Sequence, residues 1–86
     1  MTNTFSMIAV LDPVSAKAED LFELGLRYCL GQGVETSFVE AHKWFNISAM
    51  KGSEAAKVYR RELSQEMTSA QVAEAQRQAR RLITMH

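Results

Sequence analysis

The sequence predicts an all-α domain of four helices folded as two antiparallel hairpins. Three observations carry this. Helix breakers are few, with one proline and four glycines in 86 residues, while Ala, Glu, Gln, Arg, Leu and Met are plentiful. Apolar residues recur at three-four spacing rather than alternating. Glycines and small polar residues fall where periodic segments stop and restart.

Residues 1–11 show no helical period. Phe5, Ile8, Val10 and Leu11 suit an extended or flexible N-terminal arm, packed on the body or inserted into another subunit. Residues 12–86 read as one helical domain. Asp12-Pro13 predicts a helix start, with Asp as N-cap and Pro at the first helical position. The first helix then runs to about Leu30, burying Val14, Ala18, Leu21, Phe22, Gly25, Tyr28 and Cys29. Gly25 costs about 1 kcal/mol inside a helix relative to Ala, which predicts a second helix crossing closely there. Gly31 suits the left-handed position after the helix and Gly33 a second positive φ, with Val34 plugging the base of the hairpin.

Ser37 and Glu40 form a capping box for the second helix, which buries Phe38, Ala41, Trp44, Phe45, Ser48 and Ala49. His42 falls at the edge of that face. Gly52 ends the helix and closes the first hairpin, residues 12–52. Ser53 or Gly52 opens a third helix over about Glu54–Glu66, with Ala56, Tyr59 and Leu63 as its core stripe and Ala55 and Val58 beside it. Thr68 to Gln71 is a second capping box, and the last helix presents Val72, Ala75, Ala79, Leu82 and Ile83. Its end is basic, with Arg77, Arg80, Arg81 and His86, which suits the negative end of a helix dipole. Residues 53–86 thus make a second hairpin or cap, each helix packing on the next.

A domain this small leaves much apolar surface uncovered, which favours docking to another molecule. Formal net charge is zero but unevenly placed. Residues 1–42 carry two bases against six acids, a net −4, and residues 43–86 carry eight against four, a net +4. Such halves face each other, stay solvated, or steer partners and further copies of the chain. The one cysteine, Cys29, excludes an internal disulfide. No run reaches the ~18 apolar residues of a membrane span, and residues 5–11 lack a basic lead and a cleavage site. A cytoplasmic protein is expected.

Residues 18–54 resemble the Sel-one-like repeat, a branch of the tetratricopeptide-like group. The resemblance rests, in order and correctly spaced, on Ala18, Leu24-Gly25, Tyr28, Gly31-Gln32-Gly33-Val34, Ala41, Trp44-Phe45, Ala49 and Gly52. Residues 67–76 are similar to the helix that often follows such repeats in bacterial proteins. Ser37 stands where the family usually has Asp, and Ser48-Ala49 where it has Ala-Ala. Only one complete repeat is present; the third and fourth helices lack the Leu-Gly, Tyr and Gly-x-Gly signature and look like a terminal cap. The resemblance implies a non-enzymatic adaptor or scaffold that binds other proteins, and it assigns no catalytic residue.

The residues themselves point the same way. Cys29 lies on the apolar side of its helix, as a structural cysteine does. Cys29, His42 and His86 have no zinc-ligand spacing. Glu19, Asp20 and Glu23 complement a helix N-terminus without implying acid–base chemistry. Gly31-x-Gly33 joins two helices, whereas a dinucleotide fingerprint follows a strand. No catalytic group, metal or cofactor is expected. Met50 and Met67 read as core filling. The basic set Arg60, Arg61, Arg77, Arg80 and Arg81, with Lys57, is the candidate partner contact. Glu62, Glu66 and Glu74 dilute it and no aromatics interleave it, which argues against nucleic acid. The expected partner is another protein, met through the groove between the first two helices and the charged ends. The alternatives are a second copy of the chain or, through the basic helices, a nucleic acid.

Overall fold

The computed structural model describes residues 12–84; the N-terminal arm and His86 lie outside them. Four helices follow in order, α1 (Ala18–Leu30), α2 (Phe38–Met50), α3 (Glu54–Ser64) and α4 (Ser69–Thr84). No strand occurs among the described residues, and no helix there is long and apolar enough to cross a membrane.

The first helix starts later than Asp12-Pro13 predicts. Asp12 does cap, its Oδ1 accepting the Val14 N–H at 2.9 Å, and the Ala16 N–H reaches the Asp12 carbonyl at 2.8 Å. That closes a single turn only. Lys17 is extended, at φ −74° and ψ 152°, and becomes the N-cap of α1. The carbonyls of Val14 and Ala16 do not need a longer helix, because the Lys51 ammonium donates to both, at 2.7 Å for Ala16. Val14, expected inside, is exposed.

The other ends follow local chemistry. Gly31 stands at φ 71°, and the Gln32 N–H closes on the Arg27 carbonyl at 2.9 Å. After α2, Gly52 at φ 109° lets its own N–H reach Ala49 O at 3.0 Å and the Ser53 N–H reach Ser48 O at 3.1 Å. Ser53 then caps α3, its Oγ accepting from the Ala56 N–H at 3.0 Å. Thr68 and Gln71 exchange side chain for backbone in both directions, at 3.1 and 2.9 Å, as a complete capping box. Only half of the Ser37 box forms. Ser37 Oγ accepts from the Glu40 N–H at 3.2 Å, but the Ser37 N–H goes to Tyr28 O at 3.0 Å. The Glu40 carboxylate turns along its own helix to Lys43 Nζ (2.7 Å) and Trp44 Nε1 (3.1 Å).

Helix α2 is the hub. Its buried set extends past the one predicted face to include His42, Lys43 and Ile47. Helices α1, α3 and α4 all pack on it, while α3 and α4 scarcely touch each other. The second hairpin is therefore more open than the first. The cause lies in the stripes: Ala56 and Leu63 of α3 are spent on the α2 core, leaving Val58, Arg61 and Glu62 outward, whereas small Ala75 and Ala79 let α4 approach α2 closely. On one side of α2, Leu21, Leu24, Trp44, Ile47 and Ala79 form a core. On the other, Ala41, Phe45, Ala49, Ala56 and Leu63 form a second. Each large apolar side chain fully buried here contributes roughly 1.5–3 kcal/mol.

Gly25 faces the Phe45 ring of α2 across a close contact. A Cβ there would lie 2.5 Å from two ring carbons of Phe45. The close crossing inferred from a glycine in mid-helix is present.

Candidate functional site

Phe22, Phe45 and Tyr59 bring α1, α2 and α3 together. Phe22 meets Tyr59 edge-on at 5.2 Å between centroids, and Phe45 lies 5.7 Å from each of them. Phe45 is fully buried, yet Tyr59 keeps 44% of its surface exposed. Tyr59 was expected in the core and is instead a wall. Beside it opens a groove of about 610 Å³, with Phe45 and Leu63 at its base and Cys29 and Phe38 across from Tyr59. It lies between α1 and α3 over the start of α2. Where α1 crosses α2 at Gly25, the Phe45 ring fills the space between them.

The rim is formed by the end of α3 and the turn that follows it. Arg61, Glu62, Gln65 and Glu66 line it. Glu62 lies in the last turn of α3, and Glu66 follows in the turn after its Gln65 C-cap. Neither carboxylate has a hydrogen-bond or ion-pair partner among the described residues. A second, apolar opening of about 350 Å³ lies at the other end of α2, between Pro13, Val14, Ile47, Met50 and Ile83. Met50, read as core filling, is exposed there, while Met67 packs against the second core.

The five arginines expected to meet a partner are divided. Arg60 is tied to α2, its Nη1 donating to Asn46 Oδ1 at 2.7 Å. Arg61 alone lines the groove. Arg77 pairs with Glu74 within α4, whose carboxyl is held below its ordinary value by hydrogen bonds from Gln78 and Arg77. Arg80 and Arg81 are exposed on the same helix. The ion pairs Lys43–Glu40, Lys57–Glu54 and Arg77–Glu74 each join residues three apart within one helix, so none of them ties one helix to another. Glu19, Asp20 and Glu23 lie exposed along α1.

Two residues differ from their expected setting. Cys29 is half-buried and lines the groove rather than sitting inside the core; burial pushes its thiol up. His42 is fully buried rather than at an edge. Its Nε2 lies 3.0 Å from Ser64 Oγ, and that hydroxyl donates to Arg60 O at 2.8 Å. The single hydroxyl proton is committed, so His42 Nε2–H donates, and its Nδ1 is buried without a partner. Desolvation, then the nearby Arg60 charge, holds His42 below its ordinary value and neutral.

The repeat-like positions serve packing. Leu24, Gly25, Ala41, Trp44, Phe45 and Ala49 are buried; Ala18 gives its carbonyl to Ser48 Oγ at 2.6 Å; Gly33 has φ 77°. Burial, reinforced by Glu40, pushes the Tyr28 phenol up. Sequence reasoning missed Phe38 and Tyr59 as groove walls. The available signal was that Phe38 directly follows its N-cap, at the periphery of the helix, and that Tyr59 lies three residues from charged Glu62 on the same helix. Compared with family models, curated proteins and solved structures, the chain has no match.

Proposed function

We propose that the chain is a non-enzymatic protein-binding module on the plan of a Sel-one-like repeat, and that the groove between α1 and α3 is its contact. The observation that supports this is the setting of Phe38 and Tyr59, 36% and 44% exposed around a groove floored by the core. Aromatic side chains with one face on a rigid floor and the other open are what protein interfaces use as anchors. The glycine-set hairpin holds them in place: Gly25 seats Phe45, and Phe45 supports Tyr59.

The test is site-specific photocrosslinking in cells. Benzoylphenylalanine at Phe38 or Tyr59 is expected to give a discrete adduct with another protein, and the same probe at Arg80 is not. If groove and α4 positions crosslink alike, or neither does, the proposal is lost.

A further inference from the structure

We propose, resting on the reading above, that the groove takes an α-helix whose apolar anchors are flanked by lysine or arginine. The shape argues for a helix. No strand occurs among the described residues, so an incoming strand finds no sheet edge to pair with. A helix satisfies its own backbone and offers side chains at three-four spacing to Tyr59, Phe38 and Leu63.

The charge argues for a basic flank. The carboxylates of Glu62 and Glu66 stand at the rim without partners among the described residues, and the single charge of Arg61 offsets only one of them. The whole chain is neutral, so attraction of a basic helix comes from this local pair and not from net charge. Such a contact weakens as salt shortens the screening length to about 8–10 Å.

The experiment is an NMR titration of the full, isotope-labelled chain with three probes. They are a leucine–lysine amphipathic helix of about five turns, the same peptide with glutamate for lysine, and a proline-rich peptide. The lysine peptide is expected to move the amides of Cys29, Phe38, Tyr59 and Leu63 and to bind ~10-fold more tightly than the glutamate peptide at low salt. In the double variant Glu62→Lys/Glu66→Lys the preference is expected to reverse, with circular dichroism confirming an unchanged fold. Equal binding of both helices at the groove overturns the charge assignment while leaving the docking surface standing. Tighter binding of the proline-rich peptide, or preference unmoved by the double variant, overturns the proposal. If no probe moves the groove amides, the proposal falls, and photocrosslinking at Phe38 decides the broader reading independently.

Discussion

The Phe45 ring occupies the place that a Cβ on Gly25 would take, 2.5 Å from two of its carbons. Gly25→Ala therefore sets a helix-propensity gain of about 1 kcal/mol against overpacking of roughly 1–3 kcal/mol. The ring is fully buried between three helices, so the clash is expected to win. Urea unfolding should show a net loss of up to about 2 kcal/mol. Adding Phe45→Leu should cost less in the Gly25→Ala background than in the native chain, a non-additivity that tests contact directly.

His42 predicts acid sensitivity. Its folded value lies below the unfolded one, so the unfolded chain binds the proton first as pH falls. Stability from this group is complete above about pH 6.5 and is lost as pH drops below it. The slope between pH 6.5 and 5 should approach, and not exceed, about 1.4 kcal/mol per unit from this residue. Thermal melts across that range should flatten in His42→Gln. Glu74, whose folded value is lowered, acts only further down, in the carboxylate range.

Ser64 joins α3 to the buried imidazole. Ser64→Ala leaves the His42 Nε2–H without its acceptor, at a cost of about 1–3 kcal/mol. Ser53→Ala removes only the cap on the Ala56 N–H, worth about 1 kcal/mol. Denaturant midpoints should rank Ser64→Ala as the more damaging of the two. The reverse order would mean that the imidazole finds another partner.

Cys29 should report on the groove. Its thiol is half-buried and pushed up, so less thiolate is present at pH 8 than for a free cysteine. Alkylation should run slower than on a small thiol, and slower again once the groove is occupied. A rate indifferent to a bound helix would place binding elsewhere.

The all-α class and most helix ends were legible in the sequence because their causes are local. Thr68 and Gln71, Ser53, Gly31 and Gly52 each act within five residues of themselves. The exception is instructive. Asp12-Pro13 carries a start signal, and the helix still restarts at Ala18, because Lys51 holds carbonyls 35 and 37 positions away. Burial was less legible for the same reason. Periodicity reads one face of α2, and His42, Lys43 and Ile47 are covered from other directions by distant helices. The groove was hidden because it depends on where α4 goes. Since α4 packs along α2, the outer edge of Tyr59 is left open.

Placing one helix at the centre also shapes how the molecule comes apart. With α3 and α4 each held by α2 and scarcely by each other, either can detach without the other. Hydrogen exchange should then resolve two separate partial openings, one for each outer helix. The amides of α2 should exchange only when the whole chain unfolds. Because the groove is walled by α3, its occupant should slow exchange in α3 and leave α4 as it was, so that the two outer helices, alike in the free chain, become kinetically distinct on binding.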